Sequence, residues 1–320
     1  MPLSDYLRRA FDALRFPSRP EGLYEPISYA LDGGGKRLRP TLLLMAYGLY
    51  DDHLDTALPA ALAIETYHNH TLLHDDLMDH ASMRRGRPTV HVKWDANTAI
   101  LSGDTMLIEA FDFLLQGSWP RKDEMLRLFT RSMREICEGQ QYDVNFEQRT
   151  DVTEAEYIEM IRLKTSVLLG CAAKLGALAA DAPEADADAL YRFAEQVGLA
   201  FQLQDDYLDV YGDPAVFGKR IGGDIVCGKK TFLLINALQR ADAPTRSRLT
   251  ALLADTAIDE ATKIAEVTAI YDSLGIPALT LEAIDSYYAA ALRELDALSL
   301  PAHKAEPLRQ FAGSLLARRK

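Results

Sequence analysis

Hydrophobic positions along the chain repeat at intervals of three and four residues over most of its length. The spacing is clearest in residues 3–14, 58–78, 156–180 and 190–212. This period places apolar side chains on one face of an α-helix, whereas the alternation typical of a half-buried strand is almost absent. Alanine and leucine, which both favour helix, are abundant in these segments. The pattern therefore predicts an all-α protein with ten or more helices.

Clusters of glycine, proline and polar residues separate the helical segments. They read FPSRPEG, DGGG, QGSWPRKD, GDPAVFGKRIGGDIVCGKK and DSLGIP. A Thr-x-x-Glu pattern from Thr153 to Glu156 predicts a capping box at the start of one helix. None of the separating clusters has the length and composition of a flexible linker. We therefore expect a single domain over residues 1–320.

Two helical segments, 56–80 and 190–211, are apolar on almost all sides except near their C-terminal ends, and each carries a DDxxD motif there. The first aspartate motif is Asp75, Asp76 and Asp79; the second is Asp205, Asp206 and Asp209. Residues i and i+4 share one helix face, and a helix C-terminus disfavours anions. Carboxylates crowded in apolar surroundings need raised pKa values or a cation. Oxygen ligands without a His or Cys pattern favour Mg²⁺, which completes its shell with water and phosphate.

Four basic groups lie at intervals along the sequence. The first is the glycine turn GGGKRLRP, where backbone N–H groups, Lys36 and Arg39 could surround an anion. The others are Arg84-Arg85-Gly86-Arg87, Lys164-Thr165, and Lys219 with Lys229-Lys230. A solvated charge is the alternative for each group taken singly, as a solvated helix end is for one acidic motif. Taken together, the acidic and basic groups favour a ligand with a highly charged head and an apolar tail.

Composition excludes some classes of function. The net charge of −12 argues against extended nucleic-acid binding, because proteins that neutralise many phosphates are usually basic. The three cysteines show no metal-ligand spacing and are predicted to be buried. The N-terminus lacks the apolar core of a signal peptide, and no apolar run has the length of a membrane span. We therefore expect a cytoplasmic protein without a stable membrane anchor.

Eight motifs in order resemble the trans-isoprenyl diphosphate synthases of the polyprenyl synthetase family. Between about residues 30 and 235 they read GGGKRLRP, ExxH (Glu65 to His68), LLHDDLMD, RRGRPTVH, GQQYD, KT, FQLQDDYLD and GKRIGGDIVCGKKT. The resemblance implies a helical bundle around a large central cavity and a homodimer. It also implies Mg²⁺-dependent condensation of isopentenyl diphosphate with an allylic diphosphate, with three Mg²⁺ ions present when the allylic diphosphate is bound.

The resemblance also implies roles for individual residues. The metal ligands would be Asp75, Asp79 and Asp205, supported by Asp76, Asp209, Gln140 and Asp143. Contacts to the allylic diphosphate would come from Arg84, Lys164, Thr165, Gln202, Lys219 and Lys229. Isopentenyl diphosphate would be bound by Lys36, Arg39, His68 and Arg85, beside Phe201. The residues expected to act in catalysis are Asp75, Asp79, Arg84, Lys164, Asp205 and Lys219.

Product length should depend on what blocks the cavity behind the first aspartate motif. One helical turn is about 5.4 Å, close to one prenyl unit. Going back from Asp75, the candidate floor residues are His70 or Thr71, and then Tyr67. In the family a large aromatic at the position of His70 accompanies a short product, and a small residue a longer one. We predict a product of fifteen or twenty carbons, and the alternative for His70 is a core histidine with a hydrogen-bond partner.

Four other functions compete with this prediction. A longer-chain polyprenyl diphosphate synthase differs only in its cavity floor. A class I terpene cyclase shares the helical fold and the first DDxxD, but the second DDxxD and the GGGKRLRP turn argue against it. His74-Asp75 superficially fits an HD-type phosphohydrolase, but the remaining histidines supply no convincing ligand set. A non-catalytic subunit of a prenyl synthase would have lost aspartates or arginines that are all present here.

Overall fold

The computed structural model describes residues 1–213 and 221–317, and these are almost entirely helical. The prediction of an all-α protein is confirmed. The chain divides into two compact units, one formed by residues 1–129 and 171–190 and the other by residues 130–170 and 191–320. The expectation of one domain over the whole chain stays a prediction.

The first unit contains the first aspartate motif. Its helices are α1 (Leu3–Asp12), α2 (Glu25–Leu31), α3 (Leu38–Tyr47), α4 (Leu58–Met78), α5 (Val90–Lys93) and α6 (Ala96–Gln116), with a 3₁₀ turn at Leu54–Thr56. A short antiparallel hairpin follows α4 and pairs β1 (Met83–Arg84) with β2 (Arg87–Pro88). Helices α4 and α6 pack closely because α6 has a glycine at the contact. A Cβ added at Gly103 would lie 2.2 Å from Nε2 of His74.

Three helices run from one unit into the other: α7 (Lys122–Glu147), α9 (Val167–Ala179) and α10 (Glu184–Tyr211). The second unit also contains α8 (Glu154–Ile161), a π-helical turn at Arg162–Ser166, α11 (Gly223–Cys227), α12 (Phe232–Arg240), α13 (Ala243–Ala254), α14 (Glu260–Ser273), α15 (Ile276–Asp296), a 3₁₀ turn at Ala302–Ala305 and α16 (Glu306–Leu316). Buried apolar residues from α8, α10, α12 and α15 form one of its cores.

A local sequence signal explains where α8 begins. The predicted capping box is present: the Thr153 hydroxyl accepts from the backbone of Glu156, whose carboxylate accepts from the backbone of Thr153. The periodic segment 156–180, however, is two helices joined by the π turn. Apolar spacing did not predict this turn, because one extra residue changes the helical period too little to be recognised in the sequence.

The exposure of two cysteines differs from the sequence prediction. Cys171 is buried, but Cys137 and Cys227 are exposed, so the prediction of three buried cysteines is wrong for two of them.

Across the described part of the chain, no helix by itself has the length and apolar character of a membrane span. Only α14 and α15, which meet at a bend of 71°, pass that test as a pair.

Candidate active site

The first aspartate motif ends α4 and is tied to the hairpin that follows. Asp76 is buried, Asp75 is partly buried, and Asp79 is exposed just beyond the last helical residue. Nε of Arg84 lies 2.8 Å from each carboxylate oxygen of Asp76, and Nη2 lies 2.8 Å from Oδ1. This bidentate ion pair is the stronger form of a carboxylate–guanidinium contact. Arg84, predicted to contact diphosphate, therefore also compensates the buried charge of Asp76.

The second aspartate motif lies on α10, and two uncharged side chains hold its central residue, Asp206. The hydroxyl of Tyr157 donates to Oδ2 of buried Asp206, and Nε2 of Gln202 donates to Oδ1 over 3.1 Å. Burial, followed by the negative charge of Asp224, raises the pKa of Asp206 to about 7, while Lys229 opposes the shift. Asp209 accepts from the backbone N–H of Asp224 at 2.9 Å.

The π turn brings two of the predicted motifs together. Nζ of Lys164 lies 2.5 Å from Oδ2 of Asp143 on α7. One helical turn earlier, Gly139 lets the two elements approach, since a Cβ there would meet the backbone nitrogen of Lys164 at 2.3 Å. Oε1 of neighbouring Gln140 is buried and has no hydrogen-bond partner among the described residues. The GQQYD and KT motifs thus form one polar cluster in the second unit.

A separate basic cluster lies in the first unit. Nη1 of Arg39 is 3.1 Å from Nε2 of His68. A guanidinium only donates, so Nε2 accepts and the imidazole proton is on Nδ1. Burial, followed by the charges of Arg39 and Arg85, lowers the pKa of His68 well below its ordinary value, so this histidine is neutral. Burial also lowers the pKa of Arg39 to about 10, against the favourable charge of Glu65.

The glycine turn sits directly beneath the guanidinium of Arg85. Arg85 donates to the carbonyl of Gly34, and a Cβ at Gly35 would lie 2.7 Å from Cζ of Arg85. Gly35 also has φ of +118°, which favours glycine. Lys36 follows this turn and is exposed. The four residues predicted to bind isopentenyl diphosphate therefore lie near the glycine turn. Lys36 follows the turn, Arg85 contacts it, and Arg39 contacts His68.

The predicted chain-length residues lie on α4 behind Asp75. Nδ1 of His70 is 2.9 Å from the carbonyl oxygen of Gly103, and its ring centroid is 4.6 Å from that of His74. Burial and then the nearby His74 lower the pKa of His70 to about 4. Tyr67 is 2% exposed, with its ring 5.5 Å from His70. The Thr71 hydroxyl donates to the carbonyl of His68 in its own helix. His70 thus has the hydrogen-bond partner of a core histidine, and the floor assignment stays a prediction.

The remaining predicted residues are less constrained. Phe201 and Thr165 are partly buried in the second unit, and Lys229 is exposed after α11. Lys219 lies outside the described residues.

The predicted metal ligands are all carboxylates, which are oxygen donors of the kind that Mg²⁺ prefers. Within residues 1–213 and 221–317, no group of three or more His, Cys, Asp or Glu side chains converges as a metal site. Mg²⁺ usually takes only one or two protein carboxylates and keeps waters and phosphate oxygens in its shell. Burial, followed by the negative charge of Asp224, raises the pKa of Asp206, and a nearby cation would oppose both effects. The aspartates therefore fit this ion.

Sequence reasoning missed two residues that hold the site together. Tyr157 lies within the periodic segment 156–180, where apolar spacing gives no signal for its hydroxyl. Glu65 was noted only as part of ExxH. It is 2% exposed, and its Oε1 lies 2.8 Å from Nη1 of Arg37 and accepts from Asn69 over 3.2 Å. A glutamate inside an apolar run was the signal that could have found it, because such a group must be paired.

Comparison with known proteins agrees with these features. The family model described as "Polyprenyl synthetase" matches residues 20–273. A geranylgeranyl diphosphate synthase of Methanosarcina mazei is 44% identical over 239 residues, which cover 74% of this chain and 74% of that protein. A short chain isoprenyl diphosphate synthase of Methanocaldococcus jannaschii is 41% identical over 239 residues, covering 74% and 73%. The crystal structure of geranylgeranyl pyrophosphate synthetase from Pyrococcus horikoshii superposes with a TM-score of 0.89 and 31% identity, covering 98% and 94%.

Helical architecture, two DDxxD motifs and these likenesses define a prenyltransferase with the isoprenoid synthase fold. The chain belongs to the polyprenyl synthetase family, since the family model matches 254 of its 320 residues, from 20 to 273. The family resemblance, the fold class and the enzyme class predicted from the sequence are thereby confirmed.

Proposed function

We propose that the protein elongates an allylic diphosphate by head-to-tail condensation with isopentenyl diphosphate, in a Mg²⁺-dependent reaction. The observation that carries this proposal is the separation of two kinds of charge. Each of two long helices ends in an aspartate motif, while neutral His68, Arg39 and Arg85 form a distinct cationic cluster at the glycine turn. A terpene cyclase has no use for that second anion site.

The allylic diphosphate is the group that leaves. Mg²⁺, held by Asp75, Asp79 and Asp205, would neutralise the charge that develops on this leaving group. Arg84 and Lys164 supply further positive charge and are held before reaction by Asp76 and Asp143, and Lys229 adds to that charge. Asp76, Asp143, Asp209 and Gln140 support these groups, as do Gln202 and Thr165.

Isopentenyl diphosphate supplies the attacking double bond. Lys36, Arg39 and Arg85 bind its diphosphate, and neutral His68 donates through Nδ1 to an oxygen. Apolar residues around the reacting carbons, among them Phe201, exclude the water that would otherwise trap the allylic cation. No covalent nucleophile is required, and the proton lost at the end goes to the released diphosphate.

We further propose a product of fifteen or twenty carbons. Twenty is supported by relatives named geranylgeranyl diphosphate synthase, such as those of Methanosarcina mazei and Saccharolobus solfataricus. A geranylfarnesyl diphosphate synthase of Natronomonas pharaonis, 41% identical over 238 residues, favours a longer product as the second candidate.

A homodimer belongs to the same proposal and is supported by one face of α6. Leu101, Ile108 and Leu115 are 59%, 67% and 51% exposed and recur every seven residues, which places them in one row. Such a row of large apolar side chains is the kind of surface that a second copy covers. Light scattering should give twice the chain mass, and a monomer at micromolar concentration would contradict this. A cytoplasmic location stays a prediction.

The deciding experiment is condensation itself. The protein is incubated with Mg²⁺, isopentenyl diphosphate and dimethylallyl, geranyl or farnesyl diphosphate, and the dephosphorylated products are separated by chain length. We expect twenty-carbon or fifteen-carbon alcohols, and no product when Mg²⁺ is chelated. Failure to extend any of the three primers would refute the proposed function.

A further inference from the structure

A chain of hydrogen bonds, partly buried at Thr165 and Gln202 and buried at Tyr157 and Asp206, connects α8, the π turn and α10 within the second unit. The hydroxyl of Thr165 donates to Oε1 of Gln202 over 3.3 Å, and Nε2 of Gln202 donates to Oδ1 of Asp206 over 3.1 Å. From the opposite side, the hydroxyl of Tyr157 donates to Oδ2 of Asp206. Tyr157 is 1% exposed and Asp206 is 4% exposed. Both carboxylate oxygens of Asp206 are thus held by neutral donors.

This arrangement constrains the neighbouring aspartates of α10. Successive residues of an α-helix are about 100° apart around its axis, and residues four apart share a face. With Asp206 fixed inward, Asp205 and Asp209 point to an adjoining face, where both are partly buried. The Tyr157 and Gln202 donors are uncharged, so they fix the position of Asp206 without neutralising its charge. Arg84, by contrast, neutralises the charge of Asp76.

We propose that Tyr157 is a positioning residue of the second aspartate motif: its hydroxyl, acting through Asp206, sets the orientation in which Asp205 receives a divalent cation and Asp209 supports it. The identity of that cation as Mg²⁺ rests on the proposed function. Tyr157 itself touches neither cation nor substrate in this role. Groups that hold metal ligands in place commonly contribute about 10- to 100-fold to metal affinity.

The chain offers a closely matched control. Tyr157→Phe removes one hydroxyl that donates to a buried aspartate. Tyr50→Phe removes the same kind of bond in the first unit, where the Tyr50 hydroxyl donates over 2.9 Å to Asp186, which is 2% exposed. Both variants should melt at a lower temperature without metal, because each leaves a buried carboxylate short of a donor. Only Tyr157→Phe should change the response to Mg²⁺.

The primary measurement uses the full chain and does not depend on turnover. Melting temperature is followed while Mg²⁺ is titrated in the presence of inorganic diphosphate. We expect the Mg²⁺ midpoint to rise about 10-fold in Tyr157→Phe and to stay within about twofold of wild type in Tyr50→Phe. A Tyr157→Phe midpoint equal to wild type would overturn the proposal, as would equal shifts in the two variants or a wild-type protein that does not respond.

Kinetics and a double variant separate positioning from general damage. Tyr157→Phe should raise half-saturating Mg²⁺ while the KM for isopentenyl diphosphate stays within about twofold, because that substrate uses other residues. Independent substitutions multiply in their effects, whereas coupled ones do not. In an Asp206→Ala background, Tyr157→Phe should therefore add no more than about twofold, and full multiplication would contradict action through Asp206. A wild-type protein that binds Mg²⁺ but extends no primer would refute the proposed function, while the midpoints still decide the role of Tyr157.

Discussion

The two aspartate motifs have the same spacing on helices of similar character, yet their central residues are stabilised in opposite ways. Asp76 is paired with the guanidinium of Arg84, whereas Asp206 is held by a phenol and an amide. The first arrangement pairs the carboxylate with an opposite charge, whereas in the second burial and the charge of Asp224 raise the pKa of Asp206 to about 7 against the effect of its two donors. A DDxxD pattern therefore defines which carboxylates share a face, but the surrounding elements decide how much negative charge that face carries.

The largest expected effects come from the aspartates proposed to bind Mg²⁺. Asp75→Ala and Asp205→Ala should each lower kcat by at least about 10²- to 10³-fold, since each removes stabilisation of the leaving group. Both residues are partly buried, and the melting temperature without metal should change little. Steady-state kinetics with farnesyl diphosphate measures the loss of kcat. A near-wild-type rate in either variant would show that the substituted aspartate is not a metal ligand.

The next effect separates the two motifs by their partners. Arg84→Gln should leave buried Asp76 without its cation and destabilise the fold by about 1–3 kcal/mol. Because Arg84 is also expected to contact diphosphate, kcat should fall by about 10²-fold. Denaturant unfolding and kinetics measure the two losses. Arg87→Gln, on the same hairpin but in contact with Tyr29, is the control and should retain most of the activity. Loss of stability without loss of rate would confine Arg84 to a structural role.

A smaller change concerns the apolar turns behind the first motif. Tyr67→Ala and His70→Ala should open space of about one helical turn and lengthen the product by one prenyl unit. Chromatography of the dephosphorylated products provides the measurement. Unchanged product length in both variants would show that these residues do not form the cavity floor. His70 would then only link α4 to α6 through its hydrogen bond with the Gly103 carbonyl.

The smallest expected effect is the pH dependence of stability. The pKa of Asp206 is about 7 in the folded protein, above the ordinary 3.8, so the folded state holds more protons than the unfolded state between these values. Stability from this group is therefore fully present below about pH 3.8 and is lost as pH rises from there through about 7. In metal-free buffer, Asp206→Asn should reduce the fall in melting temperature between pH 5 and pH 8, and an unchanged fall would contradict it.

The sequence predicted the helices and the motif residues because both are local signals. Apolar spacing located α4 and α10, and the order of motifs located Lys164, Asp143 and the glycine turn. Partners that come from distant elements were not predictable in this way. Tyr157 meets Asp206 across 49 positions of the chain. The ion pair of Arg84 with Asp76 depends on how the hairpin folds back, and the exposure of Cys137 depends on which side of α7 is covered.

The π turn at Arg162–Ser166 has the structure of an α-helical turn with one residue inserted. One additional residue widens the turn, and the regular helices on both sides continue undisturbed. A change in length at this point is therefore not equivalent to a change in a loop. Deleting one residue would join α8 and α9 into a single regular helix and rotate Lys164 away from Asp143. Among relatives, the count of residues between Tyr157 and Gly170 should be a stricter marker of function than the identity of most residues within it.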